Sequence, residues 1–237
     1  MATIETFARP TWLYRYRSIG SGLLDGTPAG EKKFAEEMDA ILNGYIWCAR
    51  YKNMNDPMEG LYKASAKVQD HAQYNEFISS LRSEKLALGI ASFSETWNNE
   101  LMWAHYADSF QGICICYSMP ALLSGMPEEN SFARIAYGNK PYYLALSGMR
   151  NDFERNRAVL STKHLSWAYE REWRLFSPAI GKAPHGQSAI KAIYLGARVK
   201  KKVRDTVREM IEPLGLRVHT TEADGYSIVK KRTFEPI

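Results

Sequence analysis

Apolar positions recur along this chain at two spacings, and most of its elements can be read from them. Thr11–Ser18 alternates aromatic with other residues and predicts a first strand, with Leu13, Arg15 and Arg17 on one side. Gly20, Gly22, Gly26, Pro28 and Gly30 mark a loop. Within Glu31–Asn43, Phe34, Met38, Ile41 and Leu42 stand at helical spacing, and Asn43-Gly44 stops the helix. Tyr45–Ala49 reads as a short strand, and Asn53–Gly60 as a turn in which Asp56-Pro57 blocks continuation. Residues 62–85 are predicted helical, Leu86–Phe93 a strand, and Leu101–Ala107 a short helix. Gly112–Tyr117 is a buried strand and Phe132–Tyr137 a weaker one, followed by helix over 141–165. Trp167–Phe176 and Ala189–Leu195 read as strands. Lys200–Leu214 is an amphipathic helix with Val203, Val207, Met210 and Ile211 on one face, and strands at Leu216–Thr220 and Tyr226–Val229 finish the chain.

The strands and helices are interspersed without regular alternation, and no Gly-rich loop follows the first strand. That disfavours a dinucleotide-binding doubly wound sheet and favours α+β. The expected architecture is one domain over residues 1–237, a curved or split, mainly antiparallel sheet flanked by helices. No apolar run approaches the roughly 18 to 20 residues that span a bilayer, so no membrane partner is expected. Arg9, Arg15 and Arg17 lie among aromatics near the start, which argues against a secretory signal.

With 237 residues, 45% apolar and 24% charged, the composition is that of an ordinary globular protein able to bury a substantial core. The net charge of +5 is concentrated in Arg198/Lys200/Lys201/Lys202/Arg204 and Lys230/Lys231/Arg232. Such clusters can meet phosphates, although a solvated helix face is the commoner role. Cys48, Cys114 and Cys116 are odd in number and lack metal spacing, and so read as core residues of a cytoplasmic protein.

The chemistry concentrates in Trp167-Ala168-Tyr169-Glu170-Arg171-Glu172-Trp173-Arg174. In an extended chain Glu170 and Glu172 point to the same side, where like charges repel unless water, a cation or a substrate answers them. The plain alternative is an edge strand whose arginines neutralise both. Polar clusters occur among aromatics at Arg15/Arg17, Asn55/Asp56/Glu59, Ser92/Ser94/Glu95, Trp103/His105/Tyr106/Asp108 and Glu170/Glu172/Arg174. No H-x-x-x-H or C-x-x-C occurs among the scattered histidines and cysteines, so no metal is expected, and no G-x-S-x-G suggests a serine hydrolase. His105 has a structural reading as well as a catalytic one, and Asn55-Asp56-Pro57 can be a simple capping turn.

Leu13–Arg17, Asn55–Glu59, Ser92–Ser94, Met102–Asp108 with Gly112, and Trp167–Arg174 occur in that order. Together they resemble a bacterial family known only as a domain of unknown function (number 2971), over about residues 12–197. A second resemblance carries mechanism. Arginine on a first strand, a serine-bearing strand and a Glu-x-Glu are similar to the arginine–serine–glutamate pattern of ADP-ribosyltransferases. That resemblance implies an ADP-ribosyltransferase-like fold with NAD as substrate, its phosphates held by Arg15 or Arg17 and its nicotinamide ribose oriented by Ser92 and Ser94. Glu172 would stabilise the ribosyl cation and Glu170 would position the acceptor. The serine strand reads Ser-Phe-Ser without the central threonine, and Trp103–Asp108 has no counterpart in the pattern.

The physics fits independently of the name. A fixed carboxylate in a dry pocket stabilises positive charge building on a ribose, an arginine fork suits a diphosphate, and aromatics such as Trp103, His105 and Tyr106 can stack on a base. The leading expectation is therefore an NAD-consuming transferase that modifies a nucleic acid or a protein, in a defence or toxin setting. The alternatives are a non-catalytic nucleotide- or nucleic-acid-binding module, and a nuclease or hydrolase using His105, Asp108 and the two glutamates.

Overall fold

The computed structural model describes residues 9–20, 27–144 and 151–231. It is an α+β fold with mainly antiparallel strands and flanking helices, and the described residues form two compact units. The first unit draws on Met1–Tyr45, Ser94–Met126 and Pro184–Ile237, and the second on Ile46–Phe93 and Pro127–Ala183. No described helix is long and apolar enough to cross a membrane.

In the first unit five strands lie in the order Ser227–Lys230, Arg217–Asp224, Ile190–Leu195, Ile113–Ser118, Trp12–Arg17. Neighbours are antiparallel except Ile190–Leu195 and Arg217–Asp224, which are parallel. Ile113 to Tyr117 are buried without alternation, which is why their run is continuously apolar. The helix Lys201–Ile211 connects the parallel pair and buries Val203, Val207 and Ile211, the face its spacing predicts. The helix Pro28–Leu42 buries Phe34, Met38 and Ile41, together with Glu37. Gly112 and Gly196 are required by close approach: a Cβ would lie 2.2 Å from the Arg17 carbonyl oxygen and 2.1 Å from that of Phe110, respectively.

In the second unit Gly89–Ser94 (its last residue counted with the first unit), Glu172–Ser177 and Ser131–Arg134 lie side by side. Two short parallel pairs, Tyr62–Ala64 with Tyr142–Leu144 and Ala136–Gly138 with Thr162–His164, complete the strands named here. The helices Tyr74–Ala87 and Asp152–Val159 meet over Ile78, Leu81, Leu144 and Val159.

Three sequence expectations are corrected here. The helix expected over 62–85 is a strand (Tyr62–Ala64), one helical turn (Ala66–Gln69) and a helix (Tyr74–Ala87). Local turn chemistry at His71, whose ring accepts a hydrogen bond from the Gln73 amide, separates the last two. Of the helix expected over 141–165, only Asp152–Val159 is helical in the described residues; Tyr142–Leu144 and Thr162–His164 are strands. Both find parallel partners, and Tyr62 lies eighty positions from Tyr142, which no local spacing reveals. The strand expected through Trp167–Phe176 begins only at Glu172: Leu165–Glu170 is a 3₁₀ turn closed by Arg171 at φ 46°. Residues 145–150 of that second predicted helix, Gly22 and Gly26 of the predicted loop, and Arg232 of the second basic cluster lie outside the described residues.

Candidate functional site

The left-handed residue Arg171 turns the chain between the two glutamates, so they are not neighbours on one strand face. Their carboxylates nevertheless converge. The Lys163 ammonium donates to Glu170 Oε2 at 2.6 Å and to Glu172 Oε2 at 3.2 Å, and lies 4.8 Å from the Trp167 ring centre. Glu172 continues to Arg174, accepting from Nε at 2.6 Å and from Nη2 at 3.0 Å. Arg174 in turn donates to Glu59, from Nη1 at 2.6 Å and from Nη2 at 2.8 Å, and from Nη1 to the Leu160 carbonyl. A guanidinium has five N–H donors, and these bonds occupy all five.

Three carboxylates and two cations thus form one chain of charges, with Glu170 2%, Glu172 3% and Arg174 1% exposed. Burial alone pushes the Glu172 carboxyl upward. The Arg174 and Lys163 charges, with hydrogen bonds from Arg174 and the Ser92 hydroxyl, outweigh it and hold the group at about 2. At neutral pH Glu172 is a permanent anion, suited to electrostatic stabilisation and unable to serve as an acid. Burial disfavours the charged form of Arg174, but Glu172 and Glu59 overcome it and raise its pKa. The Tyr137 hydroxyl accepts the Glu172 amide at 2.8 Å, and burial pushes that phenol well above its ordinary range.

Glu59 reaches Arg174 from a turn. The Asp56 side chain accepts the Met58 amide at 2.9 Å, and the Glu59 amide donates to the Asp56 carbonyl at 3.1 Å. Asp56 therefore shapes the loop, as its capping reading had it, and Glu59 is the residue delivered to the network.

Ser92, Glu170 and Glu172 come together in the second unit. Arg15, Arg17, Ser94, Trp103, His105 and Tyr106 belong to the first. Arg17 gives Nε to both oxygens of Glu37 at 2.8 Å and pairs with it again through Nη2. Arg15 is buried on the first strand, opposite Ile115. Ser94 is buried, and its hydroxyl accepts the Thr96 amide at 3.2 Å. Trp103 is buried, donating Nε1 to the Trp97 carbonyl at 2.7 Å, while His105 on the same short helix is exposed and Tyr106 half-buried. After that helix Asp108, Ser109 and Phe110 all take left-handed backbone (φ 52°, 51° and 72°), a run that composition does not signal.

Two features escaped the sequence reading. Lys163 lies nine residues before Glu172 without a motif. Lys85 follows Ile78 and Leu81 on the buried face of the helix Tyr74–Ala87, a lysine where the spacing calls for an apolar residue, and that was the available signal. Lys85 lines a cavity of about 500 Å³ in the second unit together with Tyr51, Tyr62, Tyr74, Lys52 and Arg82, and among the described residues no aspartate or glutamate lines it. Its Nζ donates to the Gly60 carbonyl at 3.0 Å and lies 4.8 Å and 5.2 Å from the centres of the Tyr51 and Tyr62 rings. Lys52 and Arg82 are exposed and Lys85 is buried. Three positive charges without a countercharge in the wall of a tyrosine-rich hollow favour an anion that also offers a flat ring. Among the described residues, no group of three histidines, cysteines, aspartates or glutamates is placed to hold a metal.

A family model described as a protein of unknown function (DUF2971) matches residues 102–175, under a third of the chain. No curated protein and no solved structure matches.

Proposed function

We propose that this protein is a nucleotide-binding module whose ligand enters the tyrosine- and cation-lined cavity of the second unit. The observation that carries this reading is the lining itself: Lys52, Arg82 and Lys85 beside Tyr51, Tyr62 and Tyr74, with no acidic residue among the described ones. A volume of about 500 Å³ is of the size that takes a small-molecule ligand. The phosphates meet the cations and the base meets the tyrosine rings. The ionic chain Glu59–Arg174–Glu172–Lys163–Glu170 is buried in the same unit and paired within itself, which suits a rigid support. Calorimetric titration with AMP, ATP and NAD tests the reading. At least one should bind, and Arg82→Ser should weaken binding by about tenfold, the loss of roughly 1.4 kcal/mol for one charge-assisted contact. Added salt should weaken binding in the parent more than in the variant. No heat from any of the three up to about 1 mM, an affinity of roughly −4 kcal/mol, would overturn it.

One contact favours a second reading, that of an NAD-consuming transferase: the Ser92 hydroxyl bonds to Glu172. In this reading the ribosyl cation is stabilised by Glu172, and the acceptor, a nucleic acid or a protein, is positioned by Glu170. The saturation of Arg174 and the burial of both carboxylates weigh for the binding module. Nicotinamide release from NAD by the parent protein, abolished by Glu172→Gln, decides for the transferase; binding without release decides for the module. The proposal includes family likeness beyond the matched segment, across about residues 12–197, on the motifs Leu13–Arg17, Asn55–Glu59 and Ser92–Ser94. It also includes a reducing, cytoplasmic setting, which suits the free, buried thiols of Cys48, Cys114 and Cys116.

A further inference from the structure

We propose that Lys85 is a reactive amine that captures a phosphate-bearing aldehyde or ketone in this cavity as an imine. The inference rests on the reading of the cavity as an anion site and adds a covalent step to it. Two buried lysines in the same unit allow a direct comparison. Lys163 holds two carboxylates and is a structural cation. Lys85 is 7% exposed, and no carboxylate of the described residues pairs with it; its bonds are one carbonyl and two tyrosine faces. A buried ammonium with no countercharge is an expensive way to fill an apolar position, and leucine or methionine would fill it without that cost.

The surroundings keep the amine close to the chain and open to the cavity. Gly60, at φ +68°, brings its carbonyl to Nζ; a Cβ there would stand 3.0 Å from Leu160 Cδ2 and 3.6 Å from Nζ. Burial pushes the Lys85 pKa down, and the charges of Arg82 and Lys52 push it the same way. The neutral, nucleophilic form is therefore more populated near neutral pH than in an exposed lysine. Lys52 and Arg82, in the same lining, supply the charge that holds a phosphate while the carbonyl meets Nζ.

The step balances without an outside reagent. The Lys85 ammonium yields its proton, the nitrogen lone pair attacks the carbonyl carbon, and the carbonyl oxygen departs as water. The nitrogen retains one proton. The sum is R–CHO with Lys–NH₃⁺ giving R–CH=NH⁺–Lys and H₂O, with no change of oxidation state.

Pyridoxal phosphate is the probe. The full-length protein is incubated with it near neutral pH, reduced with borohydride, digested and read by peptide mass spectrometry. Lys85 should be modified before the exposed Lys32, Lys63 and Lys201, because its amine faces the cavity that holds the phosphate and burial favours its neutral form. AMP should protect it, and Lys85→Arg should remove that label. Labelling spread evenly over exposed lysines, or Lys85 left unmodified, overturns the imine. The order of labelling in the parent protein decides this without the variant, so a failure of Lys85→Arg to fold does not blunt the test. AMP binding with no Lys85 label sinks the imine and leaves the nucleotide reading standing. Rapid Lys85 labelling that AMP does not slow leaves the amine standing and removes the nucleotide from this cavity.

Discussion

Arg174→Met should destabilise the protein by about 3–5 kcal/mol, which for a chain of this size is a fall of roughly 10 °C in Tm. The guanidinium answers Glu59 and Glu172 through four hydrogen bonds and the Leu160 carbonyl through a fifth. Methionine fills comparable space and supplies none of them, so two carboxylates lose their shared cation in a region water barely reaches. Glu59 and Arg174 are 115 residues apart in sequence, so the loss also unfastens the Asp56–Gly60 turn from the strand Glu172–Ser177. Urea unfolding measures the effect. The triple replacement Glu59→Leu, Glu172→Leu, Arg174→Met should recover much of the lost stability, because the penalty comes from orphaned charge more than from lost attraction. A loss under about 1 kcal/mol for the single variant would mean that water enters to solvate the carboxylates, and the ionic chain would not be the support assigned to it.

Lys163→Met should cost about 3 kcal/mol near pH 7, and its deficit should narrow as the solution is acidified. Lys163 is shared by Glu170 and Glu172. Without it the two carboxylates face one another less compensated, and one of them should titrate above its unfolded value. Such a group destabilises the fold where it is ionised, and the penalty lifts as pH falls through the raised folded pKa. The parent protein should behave in the opposite sense. Its Glu172 is held at about 2 against an ordinary 4.5, so its contribution is complete above about 4.5 and is lost as pH falls from there toward 2. Unfolding free energies from pH 7 down to 4 separate the two: the curves should approach one another on acidification. Parallel curves would show that Lys163 acts by packing on Trp167 and not by charge.

The residues where local spacing succeeded share a cause. The helix Lys201–Ile211 buries its apolar positions at the period of its own backbone, and the strands Ile113–Ser118 and Ile190–Leu195 are near-continuous apolar runs buried with little or no alternation, so in each a short window holds the information. The same holds for Trp103, whose burial follows from the two-sidedness of its short helix, and for the α+β class. The Glu-x-Glu was legible as a concentration of like charge needing an answer. What answers it was not legible: Lys163 and Glu59 carry no motif, and Arg174, two residues from Glu172, could as readily have faced solvent. Leu165–Glu170 failed as a strand because Arg171 turns left-handed, a choice that the Lys163 contacts and the Ala168 carbonyl bond reward only in the folded chain. Lys85 shows the same division within one side chain. Its helical position, aligned with Ile78 and Leu81, determines from sequence alone that it faces inward. That no carboxylate of the described residues meets it, and that tyrosines and a cavity do, was decided only when distant segments came together. Periodicity is a property of a few neighbouring residues, whereas the partner of a buried charge is set by which segments the whole fold brings within a few ångströms of it.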